Sequence, residues 1–312
     1  MANRNPYTDR IGRSLYNHEL DIREAEKRFH ETNTFSLQGA IEKQNNHRAL
    51  LLVSGFDVER DAFHAGWPTI DSKRCSAGCT IEQHWMRLFA LGPLFAALQP
   101  LASGMVHLTF ANPKEQRPSG ELSRFKLAGY KRKINGILRA LQTDRPSMVA
   151  VGMVEISATP LPDGSVVYEP HNHLLIYGVP EDILRAAFKS ILLPNTLGHP
   201  IRIDPVGSIP DLGLALSYIF KFTPELRTKF IGNDGSERPG RPNLMRGPVL
   251  AEWLAWLAGY RVADLLINIG LRPGLMRQMR YREVLELIPS LLKESRRMPP
   301  RLRREGLSNG HR

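Results

Sequence analysis

Two apolar, β-favouring runs, 148–157 and 166–177, flank the segment Pro160-Leu161-Pro162-Asp163-Gly164, and no other feature constrains the fold as strongly. Pro presets its own φ, Asp bonds the backbone two residues on, and Gly accepts positive φ, so the intervening residues read as a turn and the runs as an antiparallel hairpin. A third run, 105–111 (MVHLTFA), is closed by Asn112-Pro113 and reads as another strand. A sheet is therefore obligatory.

Around these strands the periodicity is helical. Residues 122–141 place Phe125, Ala128, Ile134, Ile137, Leu138 and Leu141 on one stripe, with Arg124, Lys126, Lys131, Arg132, Lys133 and Arg139 around it. That is a basic amphipathic helix, and Arg124, Lys126, Lys131, Arg132 and Lys133 are the candidate DNA-binding residues. Residues 180–192 open with Pro180-Glu181-Asp182, a composition suited to a first helical turn. A strand is expected at 197–206, then a helix capped by Asp211 and running to about 222. Residues 223–248 are rich in Gly, Pro and charge and read as a linker or long loop. Helices at 249–269 and 281–293 would form a C-terminal module. The expected organisation is α+β: a helical N-terminal region (1–100), a core (101–222), the linker (223–248) and a helical module with a basic tail (249–312).

The stretch 88–106 carries no charge, but Gly92-Pro93, Gln99-Pro100 and Ser103-Gly104 interrupt it. Proline removes a backbone donor and clashes with the preceding turn, so a buried helix over 80–98 followed by a break is expected, not a membrane span. Two cysteines in 312 residues exclude a disulfide-stapled scaffold. The opening residues lack an apolar segment of the secretory kind, so the expected compartment is cytoplasmic. A formal charge of +11 favours an anionic partner. Residues 271–312 alone hold eleven Lys or Arg against four acidic residues, which suits a solvated tail or an arm that binds phosphates.

The chemistry concentrates in Tyr168-Glu169-Pro170-His171-Asn172-His173-Leu174-Leu175. Residues two apart on a strand share a face, so His171 and His173 project together. Glu155 lies on the preceding strand of the same hairpin. Two imidazoles and a carboxylate can hold a divalent cation with open positions, Mn²⁺ or Mg²⁺ in character. A lone His-x-His pair is equally the mark of ordinary hydrogen-bonded histidines. Tyr218 and Lys221 fall three apart on one helix face. A phenol activated by a nearby cation is a nucleophile, although a half-buried Tyr beside a snorkelling Lys is the commoner pattern. Cys75 and Cys79, flanked by His64 and His84, could bind Zn²⁺ or be two thiols; their spacing is not the usual zinc one.

In this order, the Leu108-Thr109 strand, the basic helix, Glu155, the Pro-His-x-His-Leu-Leu strand and the Tyr-x-x-Lys helix resemble the HUH endonuclease superfamily. Within it they are most similar to single-tyrosine rolling-circle replication initiators, over roughly 105–222. The resemblance implies a ferredoxin- or RRM-like antiparallel sheet with helices on one face. It implies that His171, His173 and Glu155 hold a divalent metal, and that Tyr218 attacks a DNA phosphate to form a 5′-phosphotyrosine link. Lys221 would offset phosphate charge, and Thr109 would support the sheet beneath the metal. Implied partners are origin DNA, single-stranded or extruded as a hairpin, together with a host polymerase and helicase. Phe222 stands where two-tyrosine members carry a second Tyr, and Leu214 where some single-tyrosine members carry a Glu. No Walker A motif is present. Transposases and relaxases share the chemistry, though relaxases usually place the Tyr before the His cluster. A non-catalytic DNA-binding regulator is the alternative of a different class.

Overall fold

The computed structural model describes residues 37–56, 76–80, 83, 94, 97–192, 200–231 and 237–271. Within them the hairpin read from sequence is the middle of the molecule. Its turn closes as its composition demands: Gly164 sits at φ +83°, and Asp163 Oδ1 accepts from Ser165 N–H and Oγ–H at 2.9 and 2.6 Å.

Eight strands join in one sheet: β1 (Met105–Ala111), β2 (Arg117–Pro118), β3 (Val149–Pro160), β4 (Val166–Tyr177), β5 (Ile201–Val206), β6 (Glu225–Ile231), β7 (Glu237–Leu244) and β8 (Leu266–Ile269). The helices are α1 (Leu37–Val53), α2 (Leu127–Asp144), α3 (Glu181–Lys189), α4 (Ile209–Ile219), α5 (Gly247–Ala258) and α6 (Val262–Leu265). The strand order is β5-β1-β4-β3-β6-β7, antiparallel except where β6 meets β3 at Leu226 and Ala158. Strand β8 pairs with the other half of β3, Ala150–Met153. Strand β4 is buried along nearly its whole length because it has β1 and β3 beside it and helices on both faces.

Alternation assigns the faces. Asn172, Leu174 and Phe110 face one layer, in which Asn172 Nδ2 donates to Tyr130 on α2 and Phe110 packs 5.1 Å from Phe188 on α3. Helix α5 joins this layer: Trp256 lies 5.8 Å from Phe125, and Trp253 Nε1 donates to Ile156 O at 2.9 Å. The opposite face carries His107, Thr109, His171, His173 and Glu155, and α4 lies over it. The expectation of helices on one face therefore holds for α2, α3 and α5 and fails for α4.

Other expectations need correcting. Residues 223–248 are not a linker: they contain the β6–β7 hairpin. Pro239 and Pro242 lie on β7, an edge strand with a register shift in its pairing to β6, the setting in which a sheet tolerates proline. Residues 249–269 are not one helix. Gly259 ends α5, and after the single turn of α6 the apolar run Leu266–Ile269 enters the sheet, so this segment is no separate module. Ser208, not Asp211, caps α4: Ser208 Oγ accepts from Asp211 N–H at 3.3 Å. Helix α4 ends at Ile219 instead of 222, and Phe222 takes φ +47°. Helix α2 begins at Leu127; Arg124 belongs to a preceding 3-10 turn and Lys126 is the N-cap. Strand β5 begins at Ile201. Of the expected helix 80–98, Thr80, Gln83, Leu94 and Leu98 are helical and buried, and its other residues lie mostly outside the described ones. The segment 1–36, helix 281–293 and the basic tail from 272 also lie outside them.

No helix among the described residues is long and apolar enough to cross a membrane.

Candidate functional site

The register of the three central strands builds the site. Glu155 stands opposite His171 between β3 and β4, and Thr109 opposite His173 between β1 and β4. The two imidazole rings lie nearly parallel, 6.2 Å apart with 4° between planes, as residues two apart on a strand should. His173 is fixed from both sides. Its Nδ1 is 3.2 Å from Thr109 Oγ1, and its Nε2 is 2.9 Å from Glu155 Oε2. Thr109 thus does more than support the sheet: its hydroxyl orients a site imidazole. His171 instead turns Nε2 to Ser157 Oγ at 2.9 Å.

Tyr218 arrives from another element. The last turn of α4 brings its half-buried ring edge-on to His173, with centroids 4.8 Å apart at 88°, and 5.8 Å from His107. Lys221 Nζ lies 4.0 Å from the centre of the Tyr218 ring, a cation–π contact, and 3.9 Å from Glu155 Oε1. So the structure brings together Tyr218, Lys221, Glu155, His173 and His171, five residues from three elements and the turn after α4.

Two further residues belong to the cluster. Glu225 is buried and takes the Lys221 ammonium on one carboxylate oxygen. Its other oxygen is 2.6 Å from Arg227 Nη2 and 2.8 Å from Arg227 Nε. Arg227 Nη2 also donates to Tyr218 Oη at 3.0 Å. The only sequence signal for this pair is Glu225-x-Arg227, a period-two spacing hidden in a Pro- and Gly-rich segment.

Charge states follow from burial and neighbours. Burial opposes ionisation of Glu155, but Lys221, His173 and Arg227 hold its carboxyl well below the usual carboxylate range. Burial, reinforced by Arg227 and His173, pushes His171 down to about 3, so it is a neutral imidazole at neutral pH. Burial, then His173 and Arg202, likewise pushes His107 down to about 3. Burial works against the charged form of Lys221, yet Glu155, Tyr218 and Glu225 raise its pKa above the ordinary lysine value.

Among the described residues no group of three His, Cys, Asp or Glu side chains converges as a metal cluster. The donor chemistry nonetheless fits a cation. His171 Nδ1 is buried without a hydrogen bond, a costly condition that a bound cation would relieve, and Glu155 and His173 Nε2, in ion-pair contact at 2.9 Å, supply further donor atoms beside it. Of the expected zinc group, Cys79 is buried, and Cys75, His64 and His84 lie outside the described residues.

The basic residues of α2 lie on the far side of the sheet from Tyr218. Lys131 donates to Asp264 O, Lys133 pairs with Glu115 at 2.5 Å, and Arg124 pairs with Glu121 at 2.8 Å; Lys126 and Arg132 are exposed. They form no part of the cluster around the tyrosine.

No family model matches this chain, and neither does any curated protein or solved structure.

Proposed function

We propose that this protein is a metal-dependent DNA nicking and joining enzyme of the HUH kind, with the sheet serving as a ferredoxin- or RRM-like platform and Tyr218 as nucleophile. The observation that carries the reading is the 4.8 Å edge-on approach of Tyr218 to His173, since the two belong to elements with no local reason to meet. A tyrosine held against a His pair and a buried carboxylate suits attack on a phosphodiester next to a divalent cation.

Glu155, His173 and His171 would hold Mn²⁺ or Mg²⁺, which when bound supplies Lewis-acid polarisation of the phosphate. The chain's own residues do the rest. Thr109 fixes the ring orientation of His173, and Ser157 restrains His171. Lys221 places a buried positive charge beside the Tyr218 ring, and its deep burial makes it a fixed local charge instead of a mobile phosphate clamp. Tyr218 oxygen would bond to phosphorus, leaving a 5′-phosphotyrosine and a free 3′-OH. In a rolling-circle initiator that 3′-OH primes a host polymerase, with a host helicase opening the duplex. The basic face of α2 and the tail would bind flanking DNA by its phosphates.

Covalent capture tests this. The protein is incubated with Mn²⁺ and single-stranded oligonucleotides tiled across the flanks of its own gene, then separated on a denaturing gel. The expected result is a shifted band lost in Tyr218→Phe, in His171→Ala and with EDTA. Strand-transfer products on paired substrates would separate replication from transposition or mobilisation. Absence of any adduct, together with tight, salt-sensitive duplex binding, would replace the nuclease with a regulator.

A further inference from the structure

The turn after α4 does more than end a helix. Phe220 caps it, and Phe222 adopts φ +47°, a left-handed conformation that bulky residues rarely take. This reversal sends the chain straight into β6, which meets β3 with Leu226 beside Ala158. Glu225 and Arg227 flank Leu226 and so share the opposite face, the one bearing Glu155 and Ser157. One carboxylate, Glu225, then holds both cations of the site: Lys221 on one oxygen and Arg227 on the other.

The two cations are not equivalent. Lys221 lies over the ring of Tyr218 with its side chain only 2% exposed, whereas Arg227 bonds the phenol oxygen itself at 3.0 Å and stays 23% exposed. The bonds of Arg227 to Glu225 and Tyr218 use Nε and Nη2, which leaves the Nη1 donors as the ones to meet an incoming phosphate oxygen. We propose that Arg227 is a catalytic residue of the nicking step, bridging the Tyr218 oxygen to the scissile phosphate, and that Glu225 is the positioning residue that aims it. This rests on the nicking reading above.

The step balances without a redox partner. Tyr218 Oη bonds to phosphorus, the bond from phosphorus to the 3′ oxygen breaks, the phenol proton passes to water, and the departing 3′ oxygen takes one from water. Loss of the phenol proton leaves negative charge on the Tyr218 oxygen, and as that oxygen bonds to phosphorus the charge passes to the non-bridging phosphate oxygens and the departing 3′ oxygen. A forked guanidinium can bond the phenol oxygen and a non-bridging oxygen at once. A lysine at 227 could not hold Glu225 through two nitrogens and still reach Tyr218, because an ammonium is a point charge on a flexible stem.

The test compares single-turnover adduct formation with oligonucleotide binding in the full chain, using Mn²⁺ and the tiled single strands. Arg227→Ala is expected to slow adduct formation by about 10²-fold, the scale of one lost transition-state donor, while oligonucleotide binding weakens far less. Added guanidine or methylguanidine should restore part of the Arg227→Ala rate and none of the Tyr218→Phe rate. Arg227→Lys should stay slow, and Glu225→Gln should be slow without guanidine rescue. Circular dichroism establishes that each variant is folded, and Arg227→Lys serves if Arg227→Ala is not. A folded Arg227→Ala or Arg227→Lys that forms adduct at the wild-type rate overturns the assignment while leaving the nuclease intact. Loss of rate and binding in equal proportion, with no guanidine effect, also overturns it. No adduct with the unmodified chain on any oligonucleotide overturns both readings.

Discussion

Replacing Glu225 by Ala removes the one carboxylate shared by Lys221 and Arg227, and the structure sets the size of the effect. Removing one partner of a buried ion pair costs about 3–5 kcal/mol because it strands the other charge. Two features place Glu225→Ala at the lower end of that range. Lys221 retains Glu155 at 3.9 Å, and Arg227, at 23% exposure, can recruit water. The expected loss is therefore about 3 kcal/mol. At about 2.1 cal/mol/K of unfolding entropy per residue, a 312-residue chain shifts by roughly 1.5 °C per kcal/mol, so the melting temperature should fall by about 5 °C. Urea denaturation of wild type, Glu225→Ala, Lys221→Met and the double variant gives the coupling directly. If the cost arises from a stranded cation, Lys221→Met in the Glu225→Ala background should cost much less than in wild type, and could restore stability. A Glu225→Ala variant within about 0.5 kcal/mol of wild type, the range of ordinary surface substitutions, would refute the buried network. Additive losses in the double variant would refute the coupling.

Two other outcomes follow from particular atoms. At Gly152, in the middle of β3, an added Cβ would lie 1.9 Å from His173 O and 2.8 Å from Leu174 Cα, both backbone atoms of the central strand. Gly152→Ala should therefore destabilise by more than about 3 kcal/mol, seen as loss of the cooperative melt or of soluble protein; a normal melt would show that β3 and β4 are spaced differently. His47, buried on α1, has its pKa lowered to about 3, first by burial and then by Lys43. Its folded pKa lies below its unfolded one, so its contribution to stability is full above pH 6.5 and is lost as pH falls toward 3, at about 1.4 kcal/mol per pH unit within that window. His47→Gln should flatten this acid limb in denaturation measured from pH 7 to 4, and an unchanged slope would sink the idea.

Much of the fold was legible from local pattern. The β3–β4 hairpin, strand β1, and the buried positions Ile134, Leu138 and Leu141 on α2 follow from periodicities of two and 3.6 that a chain carries wherever it folds. The shared face of His171 and His173 is of the same kind, since it depends only on one strand's own pleat. The corrections cluster where a segment's state depends on a distant partner. Glu225–Ile231 and Leu266–Ile269 are short and weakly patterned, and each became a strand because a partner offered unpaired N–H and C=O groups: β7 along β6, with one bridge to β3, and the outer edge of β3 along β8. The prolines that made 223–248 look like a linker are tolerated because β7 ended at an edge.

By itself, then, the amino-acid order determined the hairpin, its turn, the paired histidines and the positive charge. Tertiary structure decided the rest: that α4 crosses the face bearing His173 and not the opposite one, that the basic helix α2 lies away from Tyr218, and that Arg227 reaches the phenol oxygen. The physical reason is range. Backbone periodicity and turn chemistry act over a few residues, whereas the choice of sheet edge and helix layer is made by burial among segments scores of residues apart, which no local window contains.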